Sequence, residues 1–260
     1  GEKYAAIGTS QGLFLYYGND FYDISPLDTA VTGFTLTTTN NSATVTVNKT
    51  SHNLSAGRYF TFTSVTLPGS GTGYVAADFT GTPYEVVTAS TNSFTITMAS
   101  VESGAGITAA GSATVNPYES VGPTFQTAGY GWGTDTWSTS TWGTERTTSD
   151  VILDPGLWSL DNFGEVLVAT IAGGKTFTWN AGASNARTIR ASTTTTNFST
   201  SNNPTSSRLT QVSDRDRHLF HFGTETTIGD TSTVDPLFIR FSNQEDLNTY
   251  TPTATNTAGS

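Results

Sequence analysis

The 260-residue chain has no cysteine, a single methionine and few charged side chains, which make up 12% of the residues. Without cysteine, disulfide bonds and thiolate metal sites are excluded. Lysine and arginine total 11 against 21 acidic residues, for a net charge of -10. Because phosphate binding needs clustered basic side chains, we expect no specific nucleic-acid partner. No apolar run approaches the length of about 20 residues that spans a membrane, so we expect no membrane partner.

The residues that are abundant favour strands. The chain contains 52 threonines and 26 glycines, and its 15 phenylalanines, 10 tyrosines and 5 tryptophans can form a core. Threonine is β-branched and suits a pleated strand, whereas glycine lowers helix propensity. The composition therefore predicts an all-β protein.

Three strand pairs recur in the two flanks of the chain, each interrupted by turn residues. Small antiparallel blades of this kind predict an incomplete or small β-propeller, although a hairpin of a β-sandwich has the same local pattern. The pairs are Leu13–Tyr17 with Phe21–Ile24, Val166–Thr170 with Phe177–Trp179, and His218–Phe222 with Leu237–Phe241.

The middle of the chain has a different pattern, with short strands that alternate apolar and polar residues. We interpret residues 29–117 as an inserted β-sandwich or barrel domain, in which Val75–Phe79 is the one short helical turn. The predicted organisation is a first propeller-like strand pair at 1–28, the insertion, and the remaining propeller-like blades at 118–260.

Titratable side chains do not form a recognisable site. His218 and His221 differ by an odd number, so on one strand they face opposite sides and cannot share a metal. Asp214 and Asp216 would share one face of a strand, but two carboxylates are too few for a calcium loop, and structural ion pairs are the favoured interpretation. We therefore expect no metal and no cofactor.

Catalytic motifs are also missing from the sequence. The segment Ser159-Leu-Asp161-Asn-Phe-Gly164 approaches the Asp-box of propeller-type sialidases, but its glycine comes one place late and the following aromatic residue is absent. There is no serine elbow and no phosphate-binding loop. The prediction is a protein without enzymatic activity and without catalytic residues.

The five tryptophans are the remaining candidates for a functional surface. They could anchor a partner subunit, stack against a sugar, or fill local core, and these alternatives stay open. Three of them recur every five residues in a Gly/Ser/Thr setting. The candidates are Trp132, Trp137, Trp142, Trp158 and Trp179.

Seven segments of the two flanks carry a resemblance to known proteins: Tyr4–Thr9, Leu13–Leu27, Gly131–Gly143, Trp158–Ala169 with Trp179, Ser213–His218, Asp235–Asp246 and Thr251–Ser260. With these segments the flanks resemble a family of virion structural proteins from the tails of bacteriophages. The resemblance covers about residues 1–28 and 118–260 and implies a propeller-like fold, with no catalytic residues to carry over.

This resemblance implies a structural component of a tail or tail-tip assembly, such as a nozzle or adaptor, that acts by subunit packing. The implied partners are other copies of the chain and other virion tail proteins. The implied location is the virion, after assembly in the host cytoplasm. The alternative is a receptor- or carbohydrate-binding module that contacts a host surface glycan, and a glycan hydrolase is the third hypothesis.

Overall fold

The computed structural model describes residues 3–9, 12–119, 157–184, 186–193 and 202–260. It also describes the backbone of two short strands, 125–128 and 149–152. Regular structure in these ranges is β, apart from three single 3-10 turns at Ala76–Asp78, Ala186–Thr188 and Thr231–Thr233. The predicted all-β class is confirmed. Within the same ranges no helix is long and apolar enough to cross a membrane.

The strands are numbered in chain order. The first ten are β1 (Ala5–Thr9), β2 (Gly12–Tyr17), β3 (Asp20–Asp23), β4 (Val31–Thr39), β5 (Thr44–Asn48), β6 (Tyr59–Thr66), β7 (Pro83–Glu85), β8 (Thr88–Ala89), β9 (Ser93–Thr97) and β10 (Gly106–Pro117). The others are β11 (Phe125–Ala128), β12 (Ser149–Ile152), β13 (Trp158–Phe163), β14 (Val166–Ile171), β15 (Thr176–Asn180), β16 (Leu209–Val212), β17 (Leu219–Phe222) and β18 (Ile239–Phe241).

The chain divides into two compact units. The inserted unit is Ser25–Ser120, and the flanking unit combines Gly1–Ile24 with Val121–Ser260. The span 29–117, interpreted from the sequence as an insertion, lies inside the inserted unit.

The inserted unit is one curled, seven-stranded antiparallel sheet in the order β7-β6-β10-β4-β5-β9-β8. The long strand β10 shifts register against β4 and against β6, and such bulges bend a strand. At Gly106 and Gly111, φ is 96° and 74°, and a Cβ would collide with the carbonyl oxygens of Thr38 and Thr66. These glycines therefore permit the close approach that curls the sheet around its core.

The core of the inserted unit consists mainly of aromatic rings and β-branched residues. Phe60 lies at its centre, with ring centroids 5.1 Å from Phe62 and 5.3 Å from Phe94 in edge-to-face geometry. The 3-10 turn after Val75 places Phe79 against Phe62 at 5.6 Å. The buried residues of this core alternate with less buried ones along β5, β6 and β9, which explains the alternating pattern of the sequence there.

The flanking unit contains three three-stranded antiparallel sheets, β1-β2-β3, β13-β14-β15 and β16-β17-β18, besides the pair β11-β12. The three predicted strand pairs are confirmed as neighbours within these sheets. Gly18 and Asn19, with φ of 60° and 70°, form the tight turn between β2 and β3.

Side chains of β13 join the three sheets to one another. The Trp158 indole N–H donates to the Thr9 carbonyl on β1 at 3.0 Å. On the other side, Ser159 Oγ donates to the Thr210 carbonyl on β16 at 2.7 Å, and an Asp161 carboxylate oxygen accepts from the Val212 N–H at 2.7 Å. The first strands of the three sheets therefore lie side by side. Their closure into a propeller stays a prediction.

Two apolar clusters fill the flanking unit between these sheets. The first lies between the first two sheets and includes Leu15, Leu167 and Phe177. The second lies between the second and third sheets and includes Val168 and Leu219.

Candidate functional site

The inner face of the third sheet, β16-β17-β18, is unusually polar. His221 on β17 has no exposed surface. One ring nitrogen, Nδ1, is 2.8 Å from Ser207 Oγ, and the other, Nε2, is 3.1 Å from the Tyr250 hydroxyl. Ser207 Oγ in turn donates to Thr224 Oγ1 at 3.3 Å. These hydrogen bonds satisfy the buried polar groups and hold the ring in place.

Burial keeps His221 neutral. Loss of hydration, with a smaller contribution from the Arg240 guanidinium, lowers the pKa of His221 to about 3. A serine next to a neutral histidine is the arrangement of an activated nucleophile. Here, however, Ser207 and His221 are both fully enclosed, so a substrate has no access to them. Their arrangement is a structural polar core.

Two buried charges flank this core, and both are hydrogen-bonded. Arg240 donates to the carbonyl oxygens of Thr226 at 2.8 Å and Tyr250 at 3.3 Å. The Glu225 carboxylate accepts from the N–H and hydroxyl of Thr205 at 2.9 and 2.8 Å and from the Gly229 N–H at 2.5 Å. Hydrogen bonds of this kind make a buried charge tolerable. Among the described residues, the Nε of Arg240 is buried without a hydrogen-bond partner.

The outer face of the same sheet is apolar. Strand register places Leu209, Phe222 and Ile239 in one row across β16, β17 and β18, and Phe220 and Phe241 in the next row. We call these five residues the outer aromatic face. Leu209 is 47% exposed and Ile239 45%, and the three phenylalanines are partly exposed.

The rings of the outer aromatic face already pack on one another. Phe220 lies 6.2 Å from Phe222 in a stacked arrangement and 5.3 Å from Phe241. His218, at the start of β17, packs edge-on against Phe241 at 5.7 Å and its Nδ1 lies 2.7 Å from the Ser242 carbonyl. The result is a preformed apolar surface, and surfaces of this kind mark contact sites for other molecules.

Sequence analysis did not find this face. In the run His218–Phe222 the period-two pattern alone cannot decide which residues point inward. Hydrophobicity would place Phe220 and Phe222 inside and His221 outside, whereas the structure has the reverse. The prediction that His218 and His221 face opposite sides of the strand agrees with the observed geometry.

The predicted acidic candidates lie at the surface. Asp214 and Asp216 are not on a strand, as the strand interpretation assumed, but in the exposed turn between β16 and β17. Arg217, in that turn, has φ of 45° and lies 3.7 Å from Glu245. Within the described residues no three His, Asp or Glu side chains are grouped so that they could hold a metal ion.

The segment that approaches an Asp-box spans β13 and its turn. Ser159 and Asp161 bind backbone groups of β16, and Gly164 has φ of 68° in the turn to β14. These side chains replace the backbone pairing that two neighbouring sheets cannot make.

Two of the five candidate tryptophans can be placed. Trp179 is 3% exposed and its indole N–H donates to the Ala186 carbonyl at 2.9 Å, so its ring is part of the core. Trp158 is partly buried and packs against Gly8, where a Cβ would collide with the ring. Trp132, Trp137 and Trp142 lie outside the described residues. Contact of these tryptophans with a partner or a sugar stays a prediction.

Comparison with known proteins identifies no family for this chain. No protein-family model and no curated protein matches the sequence. Among solved structures, the phage phi92 endosialidase matches with 14% sequence identity and a TM-score of 0.28. The match covers 92% of this chain but 44% of that one, so the chain spans less than half of its length. A likeness this low carries no argument about function.

Proposed function

We propose that this chain is a structural component of a bacteriophage tail or tail-tip assembly, where it packs against other copies of itself and other tail proteins. The outer aromatic face carries this proposal. Five apolar side chains cover the solvent side of a sheet whose inner side holds His221 and Arg240. The resemblance of the two flanks to tail proteins supports the same role and a location in the virion.

The free energy of burying apolar surface favours a partner that covers the outer aromatic face. Each square ångström of apolar surface removed from water contributes about 25 cal/mol. A stable interface buries about 800 Å² on each partner, with an apolar centre and a polar rim. The outer aromatic face suits such a centre, and the polar turn of Asp214 and Asp216 beside it suits the rim. The low charge content of the chain reduces the desolvation cost of that contact.

The proposed role is assembly without turnover. The Ser207–His221 pair is sealed inside the third sheet, which supports a structural task for this polar group. The buried Glu225 and Arg240 are likewise committed to backbone partners. The specific position, as a nozzle or adaptor protein, is part of the proposal and depends on the family resemblance.

The test is the oligomeric state of the purified chain. We expect native mass spectrometry and sedimentation velocity to show assemblies that dissociate in the double variant Phe222→Ser, Ile239→Ser. Both side chains are partly exposed, so the variant should fold. A matched control is Val75→Ser, Val87→Ser, which removes two valines of the inserted unit that are 58% and 51% exposed.

Two results would contradict the proposal. One is a wild-type chain that stays monomeric at all concentrations and also fails to join purified tail particles. The other is assembly that the Phe222→Ser, Ile239→Ser variant retains in full. If only the valine control loses assembly, the interface lies on the inserted unit and not on the outer aromatic face.

A further inference from the structure

The flanking unit contains a cleft of about 810 Å³ between its first two sheets. The apolar part of the lining comes from both sheets, with Ala6 and Leu15 on one side and Leu160 and Leu167 on the other. Ligand-binding clefts in proteins have volumes of roughly 300–1,000 Å³ and combine an apolar floor with a few polar groups. The size and lining of this cleft therefore suit a small organic ligand.

The polar groups of the cleft are mainly acceptors. Asp161, Asn162 and Glu165 line one side, and Lys3 is the basic residue of the lining. The Asp161 carboxylate is turned towards the third sheet, where it accepts from the Val212 N–H of β16 at 2.7 Å, so Asn162 and Glu165 are the acceptors on the cleft side. An amide oxygen and a carboxylate each have lone pairs that can accept hydrogen bonds from a ligand.

Tyr4 supplies an aromatic wall to the same cleft. Its ring lies edge-on to Trp179 at 5.2 Å and tilted against Tyr17 at 4.9 Å, so neighbouring rings hold it in place. A partly buried aromatic ring that is already positioned contacts a ligand at low entropic cost. Gly182 lines the cleft as well and lies against the Glu165 carboxylate, since a Cβ at Gly182 would be 2.7 Å from Glu165 Oε2.

We propose that this cleft binds an uncharged or amine-bearing oligosaccharide, with Tyr4 against a sugar ring and Asn162 and Glu165 accepting from hydroxyl or ammonium groups. A pyranose has an apolar face and a rim of donors, which matches an aromatic wall beside these acceptors. The Glu165 carboxylate disfavours an acidic sugar by like-charge repulsion. The cleft shares no residue with the outer aromatic face, so it does not depend on the proposed assembly role.

The binding experiment uses the full chain labelled with nitrogen-15. Chitotriose, its de-acetylated amine form and sialyllactose are titrated separately, and the indole N–H signal of Trp179 at the cleft serves as the reporter. We expect saturable shifts with chitotriose or its amine form, with a Kd of about 1 mM or lower, and at least about tenfold weaker binding of sialyllactose.

Three variants locate the site. Tyr4→Ala removes the wall. Gly182→Leu fills the cleft and displaces the Glu165 side chain, because a Cβ at Gly182 would lie 2.7 Å from Glu165 Oε2. Each should weaken binding about tenfold or more, and Glu165→Gln by a smaller factor, in line with the loss of one contact. The control is Tyr59→Ala, a partly buried tyrosine of the inserted unit, which should bind like the wild type.

Four outcomes would overturn the proposal. The first is the absence of saturable shifts with either neutral or amine sugar up to about 10 mM. The second is tighter binding of sialyllactose than of chitotriose. The third is binding that Gly182→Leu and Tyr4→Ala leave unchanged, since the site would then lie elsewhere. The fourth is a cleft that takes a trilysine peptide and no sugar, which would make it a peptide site.

Discussion

The phenylalanines of the inserted unit are buried in its core, whereas those of the third sheet in the flanking unit lie on the solvent side. In the inserted unit Phe34, Phe60 and Phe94 are at most 1% exposed and pack edge to face. In the third sheet the phenylalanines face solvent, and His221 and Arg240 are inside. A polar interior is possible because most of its groups are hydrogen-bonded, the Nε of Arg240 being an exception among the described residues, and the aromatic rings are then available for a partner.

The buried titratable groups of the two units also differ. Burial alone would raise the pKa of Glu102 in the inserted unit. Hydrogen bonds from Thr72, Thr38 and the N–H groups of Gly73 and Gly104 outweigh burial and lower this pKa to about 2. Glu102 is therefore buried in its charged form, whereas His221 is buried in its neutral form. Each unit thus has its own sensitivity to acid.

The two units can be followed separately in one sample. All five tryptophans belong to the flanking unit, and the single methionine, Met98, belongs to the inserted unit. Unfolding of the flanking unit exposes the buried Trp179 and the partly buried Trp158, so tryptophan fluorescence reports it. The methyl NMR signal of Met98, which is 5% exposed, reports unfolding of the inserted unit.

The largest expected effect is a difference in the free energy of unfolding between substitutions of a buried phenylalanine and of one on the outer aromatic face. Phe60→Ala should destabilise the inserted unit by about 3–5 kcal/mol, because it leaves a cavity among packed rings. Phe222→Ala should change the free energy of unfolding of the dissociated chain by less than about 1 kcal/mol, because the ring is already partly in water. Urea unfolding read by Met98 and by tryptophan measures both. Equal losses of stability in Phe60→Ala and Phe222→Ala would contradict this difference between the two units.

A smaller expected effect is that the stabilities of the two units depend on pH in different ranges. Below its ordinary pKa of 6.5 the unfolded His221 takes up a proton that the folded form, with a pKa of about 3, does not. The flanking unit should therefore lose about 2 kcal/mol of stability when the pH falls from about 7.5 to about 5. Glu102 stabilises the inserted unit above its ordinary pKa of 4.5, and this contribution is lost only as the pH falls from there towards about 2.

The measurement is urea unfolding at several pH values with the same two signals. His221→Gln should remove most of the slope of the tryptophan-detected stability between pH values of about 7.5 and 5, while His218→Gln should retain it. A flanking unit equally stable at both pH values would show that His221 is not buried as described.

The smallest expected effect concerns the contact between neighbouring sheets. Ser159→Ala removes the hydrogen bonds of Ser159 Oγ to the carbonyl and N–H of Thr210, at 2.7 and 3.3 Å. The flanking unit should lose about 1 kcal/mol, without any change in the inserted unit. Ser232→Ala is the control, because Ser232 bonds only within its own exposed loop at Asp230. If both variants behave alike, Ser159 does not join β13 to β16.

Much of the fold could be predicted from local patterns. Alternating residues and turn residues predicted the strand pairs of both flanks and several strands of the middle span, because a strand and a tight turn each depend on a few neighbouring residues. The long strand β10 was not predicted, because its first half does not alternate between buried and exposed residues. The turn at Gly18 and Asn19 is an example, since both adopt positive φ. The short helical turn predicted at Val75–Phe79 is present as the 3-10 turn Ala76–Asp78.

The candidate surfaces could not be predicted in the same way. The outer aromatic face depends on which side of β17 is buried, and the run His218–Phe222 is consistent with either side. The cleft combines Tyr4 with Asp161 and Glu165, which are more than 150 residues away in the chain. The exposed position of Asp214 and Asp216 in a turn also depends on where β16 ends.

Composition and periodicity were enough to establish that this chain folds as β-strands without disulfides, because strand formation depends on stiff β-branched residues and on turns. Tertiary structure decided which side of each strand is buried. That choice depends on partners far away in the sequence: Ser207, Tyr250 and Thr224 provide hydrogen bonds that make His221 acceptable inside. Once a polar residue is satisfied in the interior, its apolar neighbours on the same strand must face outward, because successive side chains of a strand point to opposite sides.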